Sequence, residues 1–227
     1  MAIDSTLTDI KICSNAITLT GGKEISDFTS DSNQPAGGVC ERLYPGFKRA
    51  ILAEHPWRFA MKKLQLSMSA VDPINQWEHQ YLFPDDRVEN AFYTLFDTTD
   101  VNAPPFRDYQ IFGERVLTNA DALWMDYVFD ILEKFWPADF VEFMEVAFAS
   151  KITIAIKGEG SRQLQQDLFV EAYGDPTTVP AKRGKYQKVR SSNIASDPSQ
   201  SYGDNTLEAA RFGGMFSTIT GGERFIF

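Results

Sequence analysis

This chain of 227 residues is poor in the residues that staple a fold covalently or through a metal: two cysteines, Cys13 and Cys40, and two histidines, His55 and His79. Two cysteines exclude a disulfide framework and fit a reducing compartment. No stretch approaches the roughly 18 consecutive apolar residues of a membrane span. The first eight residues lack the basic and apolar blocks of a signal peptide, so the product is expected to stay in the cytosol where it is made. Cations are also scarce, 22 Lys and Arg against 31 Asp and Glu for a net charge of −9. That balance argues against a broad basic surface for nucleic acid. What is present is ordinary globular material, 43% hydrophobic and 23% charged, in a length that allows one or two domains with a sizeable core.

The charge is unevenly placed. Residues 174–227, beyond the Gly174-Asp175-Pro176 breaker, hold seven basic and five acidic side chains, whereas residues 1–173 hold 15 basic and 26 acidic ones. The distal part has ten Leu, Ile, Val and Phe and sixteen Gly, Pro and Ser in 54 residues, too little apolar area to offset the entropy of ordering it. It is read as an extended arm.

Periodicity organises the rest. Ile10, Cys13, Ala16 and Ile17 recur at helical spacing and Gly21-Gly22 ends the pattern. Asn33 is placed to cap a second helix with Pro35 in its first turn and Cys40, Leu43, Tyr44, Phe47 and Ile51 as its stripe; Pro56 stops it. Pro137 opens a third helix, with Phe140, Met144, Ala147 and Phe148 on one side, running to about Gly158. Ser161 to Tyr173 forms a fourth, with Leu164 and Leu168 inward. Between Leu64 and Ile131 aromatic, β-branched and turn residues replace the helical spacing. Gln110 to Leu117 reads as two strands around a turn at Gly113, and Trp124, Tyr127 and Phe129 as a further strand. The expected fold is α+β: an N-terminal helical pair (1–60), a β-rich insertion (61–135), a second helical pair packing on the first (136–173) and the arm (174–227). The alternative is one helical domain with a long β-hairpin.

No catalytic constellation emerges. Cys13, Cys40, His55 and His79 are separated by 27, 15 and 24 residues, which match no zinc template. Gly22-Lys23 is followed by Glu24 and Gly184-Lys185 by Tyr186, so neither is a P-loop. Gly158-Glu159-Gly160 lacks the third glycine of a dinucleotide fingerprint, having Gln163. Asp31-Ser32-Asn33 opens like a calcium loop, but Ala36 and Arg42 occupy its glycine and glutamate positions. Asp85-Asp86 and Asp126/Asp130 are the paired carboxylates available for acid–base work, with no nucleophile or base spaced to complete a site. The expectation is a non-enzymatic protein without metal or cofactor.

Several segments together resemble the tail tubular protein A family, the adaptor or gatekeeper-ring proteins of short-tailed bacteriophages. They are Ile12-Cys13-Ser14-Asn15-Ala16, Phe28, Cys40-Glu41-Arg42-Leu43-Tyr44-Pro45, His55-Pro56-Trp57-Arg58-Phe59-Ala60, Tyr81-Leu82-Phe83-Pro84-Asp85-Asp86-Arg87-Val88, Tyr127-Val128-Phe129-Asp130 and Trp136-Pro137, in order over about residues 8–173. His55, Pro56, Trp57, Phe59, Tyr81, Pro84 and Asp86 are the positions that match its motifs. The resemblance implies a structural virion protein assembled in the host bacterial cytoplasm. It would form a twelve-fold homo-oligomeric ring in the neck, between the portal protein and the tail nozzle protein, with DNA passing transiently through. An acidic body suits such a conduit, because carboxylates repel phosphates. The alternatives are a head-completion or stopper protein of the neck, and a tail-associated hydrolase.

The arm is expected to hold the partner contacts. Lys182, Arg183, Lys185, Lys188 and Arg190 place five cations in nine residues, and Arg211, Phe212, Phe216, Phe225 and Phe227 supply cation and aromatic side chains between glycines. Docking to an acidic portal surface is favoured over phosphate contact or a solvated linker, because weak contacts repeated around a ring add up.

Overall fold

The computed structural model describes residues 7–28, 35–71, 73, 76–100, 103–175, 177 and 182–195. Their fold is α+β. The helices are α1 (Asp9–Leu19), α2 (Pro35–Glu54), α3 (Ala138–Lys157), α4 (Arg162–Tyr173) and α5 (Lys185–Ala195). The strands are β1 (Met61–Gln65), β2 (Ser67–Met68), β3 (His79–Leu82), β4 (Tyr93–Phe96), β5 (Tyr109–Phe112), β6 (Arg115–Thr118), β7 (Trp124–Val128), β8 (Gly174–Asp175) and β9 (Lys182–Arg183).

Local chemistry explains the helix ends. Thr8 caps α1, its hydroxyl accepting the Lys11 amide at 3.3 Å, and the chain leaves that helix through Gly21 at φ +76°. The α2 helix ends at Glu54, where Pro56 denies His55 a helical conformation. Its proposed cap, Asn33, lies outside the described residues. Helix α3 is apolar almost all round and buries Phe140, Phe143, Met144, Val146, Phe148 and Ile152 among others, which makes it the central helix. Helices α1, α2, α4 and α5 all pack on it. Leu164 is a correction: it is 36% exposed, and Leu168 and Ala172 form the buried side of α4.

The insertion carries two antiparallel sheets, ordered β1-β7-β4 and β2-β3-β6-β5. The β5–β6 pair turns through Gly113 at φ +61°, a conformation that glycine adopts without steric cost. Leu66, Tyr81, Leu95, Val116, Leu123, Met125 and Tyr127 form a separate core there. The larger core joins α1–α3 to Trp57, Val88, Val128, Ile131 and Trp136.

The first part of the expected arm is not extended. Residues 182–195 form β9 and α5, and Val189, 3% exposed, belongs to the larger core. Composition averaged over 54 residues diluted a local stripe in which Tyr186, Val189 and Asn193 recur at helical spacing. Residues 196–227, with Arg211, Phe212, Phe216, Phe225 and Phe227, lie outside the described residues.

Candidate interaction surfaces

The segment after α2 is the point where three parts of the molecule meet. Trp57 is fully buried and its indole N–H donates to the Ile51 carbonyl at 2.9 Å, closing the end of α2 on itself. Around it lie Phe140 of α3 (5.0 Å between centroids, edge-on), His55 (4.9 Å), Phe59 (6.1 Å) and Tyr186 of α5 (6.0 Å). Phe59 leads through Ala60 into β1. The His-Pro-Trp-x-Phe residues therefore tie the helical body, the start of the insertion and α5 together.

Polar contacts hold α5 on that surface. The Asn193 side-chain oxygen accepts the Arg58 amide at 2.8 Å, while its nitrogen donates to the Pro56 carbonyl at 3.2 Å and lies 3.1 Å from His55 Nε2. Burial and the nearby Arg190 charge lower the His55 pKa, which keeps its ring an acceptor. At the other end the Lys185 ammonium pairs with Glu142 of α3 and with Glu171 of α4, the latter at 3.1 Å. Burial alone would lower the Lys185 pKa, but the two carboxylates prevail and raise it. The hydrogen bond from Lys185 correspondingly lowers Glu142. The amide of Gly184 donates to Gln187 Oε1 at 2.8 Å, and Gln187 Nε2 donates to the Tyr173 carbonyl at 2.6 Å. This is half of a capping box, with the third helical residue reaching back to the cap.

The cationic residues singled out by sequence thus divide. Lys185 is consumed by the fold. Arg183, Lys188 and Arg190 are exposed, and the side chain of Lys182 lies outside the described residues.

A second polar node joins body and insertion. Lys48 of α2, 8% exposed, reaches Asp130 at 2.8 Å and Glu133 at 3.1 Å, and the Tyr44 hydroxyl donates to Glu133 at 3.2 Å. Lys48 also sits over the Trp136 ring at 5.6 Å. Sequence offered no sign of this pair, because 85 residues separate Lys48 from Glu133.

The carboxylates considered for acid–base work have structural partners. Asp86 accepts the Tyr127 hydroxyl and the Lys62 ammonium, each at 2.8 Å. Burial would raise its pKa, but these bonds lower it. Asp126 faces Lys63 at 3.8 Å, and burial raises its pKa in spite of that cation. Asp130 belongs to the Lys48 node, and Asp85 is exposed. Tyr81 is buried with its hydroxyl donating to the Ala120 carbonyl at 2.8 Å. The four residues tested for zinc are dispersed. Cys13 and Cys40 are buried against each other, His55 meets α5, and His79 faces Asp121 at 3.4 Å. Among the described residues no group of three or more His, Cys, Asp or Glu is placed to hold a metal ion.

Two of the larger open concavities among the described residues lie away from these contacts. One, of about 640 Å³, lies between the Phe83–Tyr93 connection, with Pro84 in its wall, and the β5–β6 hairpin. The other, of about 630 Å³, runs between α2, α3 and α4, with Phe47, Ala147, Phe169 and Tyr173 in its walls. No helix of the described residues is long and apolar enough to cross a membrane. Compared with known proteins, the chain matches no family model and no curated protein.

Proposed function

We propose that this chain is a non-enzymatic structural protein of a short-tailed bacteriophage. In this reading it is a head–tail adaptor forming a ring between portal and tail nozzle, twelve-fold if it follows the family it resembles, in the neck of the virion. The observation that carries the reading is the place of His55, Pro56, Trp57 and Phe59. These most specific motif residues sit where helical body, β insertion and α5 are joined, as expected if the motif preserves an architecture and not a reaction centre.

Two further features support it. Asp86, Asp126, Asp130 and Glu133 are engaged in ion pairs that hold elements together, and the acidic body would let DNA slide past instead of adhering. The exposed cations of α5, with the distal aromatic residues Phe212, Phe216, Phe225 and Phe227, are the portal-facing candidates.

The test is electron microscopy and native mass spectrometry of the purified full chain, alone and with the portal of the same particle. A ring that caps the portal supports the adaptor. Attachment that needs another protein in between favours a stopper, and a chain that neither assembles nor binds the particle removes both.

A further inference from the structure

Strand β5 is the open edge of its sheet. It closes on β6 through a two-residue turn, so the pairs Phe112–Arg115 and Gln110–Leu117 exchange backbone bonds, while the N–H and C=O of Tyr109 and Ile111 point away from β6. Those outward groups meet no partner among the described residues. The side chains alternate in step. Ile111, 42% exposed, lines the cleft where Asp85, Glu89 and Glu114 stand against one cation, Arg87, whose guanidinium stacks on Phe83 at 4.2 Å. Phe112, 70% exposed, lies on the opposite face. An edge with open backbone groups and apolar side chains is a template for a further strand.

The sequence supplies one. Met215-Phe216-Ser217-Thr218-Ile219-Thr220 and Glu223-Arg224-Phe225-Ile226-Phe227 are rich in aromatic and β-branched residues, and Gly221-Gly222 alone separates them. Two such runs around a two-glycine turn read as a β-hairpin. Counting from that turn, Glu223, Phe225 and Phe227 bond back to the first run, and the backbone groups of Arg224 and Ile226 point outward. A two-stranded hairpin is marginal in water and needs a third strand. The 19 residues between Ala195, the last of α5, and Met215 extend up to about 60 Å. That is enough to cross a domain of this length, with its radius of gyration of about 17 Å. Such a tether holds the hairpin near its own sheet at an effective concentration on the order of millimolar, well above that of a second copy in dilute solution.

We propose that residues 215–227 form a hairpin whose second strand, 223–227, adds antiparallel to β5 of the same chain and extends its four-stranded sheet to six. The register that matches the two sets of outward groups sets Arg224 opposite Ile111 and Ile226 opposite Tyr109. Paired residues share a face, so Arg224 enters the acidic cleft beside Glu114. Phe225 falls on the other face, diagonal to Phe112, and covers it. Phe216, Phe225 and Phe227 are then spent on the chain's own insertion, and Arg211 and Phe212 are the distal residues left to the portal.

The experiment is hydrogen exchange of the full chain, resolved to single amides. The Tyr109 and Ile111 amides should exchange at least about tenfold more slowly than in a free peptide. Ile226→Pro removes an outward N–H and should return both to peptide rates, while Gln110 and Phe112, bonded to β6, keep their protection. Arg224→Glu should lower the protection of Ile111, and Arg224→Glu/Glu114→Arg should restore it. The double variant Ile111→Cys/Arg224→Cys, oxidised with glutathione disulfide in dilute solution, should form a disulfide within one chain, because directly opposite Cα atoms lie about 5.5 Å apart. Ile111→Cys/Phe225→Cys, with its cysteines on opposite faces, should stay reduced.

Tyr109 and Ile111 amides that exchange at peptide rates in the wild type overturn the proposal. So does protection that survives Ile226→Pro, which means that another strand, such as β5 of a second copy, covers the edge. A disulfide that joins two chains in the dilute sample puts the hairpin on a neighbour and overturns its assignment to the chain's own sheet. None of these outcomes bears on the head–tail reading, which is tested by assembly with the portal.

Discussion

Asn193 accepts the Arg58 backbone amide at 2.8 Å, so the last turn of α5 satisfies the first turn after α2. Among the described side chains of α5, Val189 is the one buried, Tyr186 packs on Trp57 and Phe143, and the rest of the attachment is polar.

Replacing Asn193 with Ala should therefore loosen α5 without disturbing the rest. A cost of about 1 kcal/mol is expected for the lost side-chain bonds. Hydrogen exchange should show residues 185–195 losing protection while α3 keeps its own. Equal protection in both proteins would contradict this.

Gly184 is irreplaceable for a steric reason. A Cβ at this position would fall on the Gly174 amide nitrogen and the Tyr173 and Ala172 carbonyl groups, all backbone that cannot swing aside. Gly184→Ala should cost about 1–3 kcal/mol, and limited proteolysis should cut near 182–195 first. A variant as resistant as the wild type would count against the close approach.

Lys48→Met should be among the more damaging substitutions at the junction. It leaves Asp130 and Glu133 facing each other with no ammonium between them, and breaking a buried pair from one side costs about 3–5 kcal/mol. Urea unfolding measures this, and a triple replacement Lys48→Met/Asp130→Asn/Glu133→Gln should recover part of the loss, because the one charge then left without its partner is the exposed Arg49. A single-variant loss below about 0.5 kcal/mol would contradict the role of the node.

Docking of α5 should fail on acidification. The folded pKa of His55 lies below its ordinary 6.5, so the unfolded state takes up the proton first; this stability is complete above pH 6.5 and is lost as pH falls from there through the folded value. Glu142, held below its ordinary 4.5, adds a second loss at lower pH. Glu54, raised by burial, works the other way, favouring the fold below pH 4.5 and losing that contribution as pH rises through its folded value. Lys185, raised above 10.5, keeps its contribution until pH climbs through its folded value. Exchange protection of 185–195, corrected for intrinsic rates, should fall below pH 6.5, and His55→Asn should flatten that first step. An unchanged step in the variant would exclude His55 as its source.

The four helices before Gly174 were legible because each is bounded locally: Pro56 and Gly158 act on their own neighbours, and the apolar spacing of α2 and α3 is visible within a few turns. The Gly113 turn and its two strands were legible for the same reason. Helix α5 was missed because its stripe is short and mostly polar, with Tyr186, Val189 and Asn193 finding partners on Trp57, Phe143 and Arg58. Nothing in the sequence distinguishes Lys185, consumed by Glu142 and Glu171, from Lys188, which stays exposed.

From residues alone came the shortage of cysteine and histidine, the acidic balance, the α+β class and the places where helices stop. These depend on composition and on neighbours along the chain. Only the tertiary structure decided which charges are spent inside the fold, at Lys48 and Lys185, and which remain outside, at Glu89, Glu114, Lys188 and Arg190. Pairing depends on distance in space, and residues as far apart in sequence as Arg58 and Asn193 acquire that distance only when the helices pack.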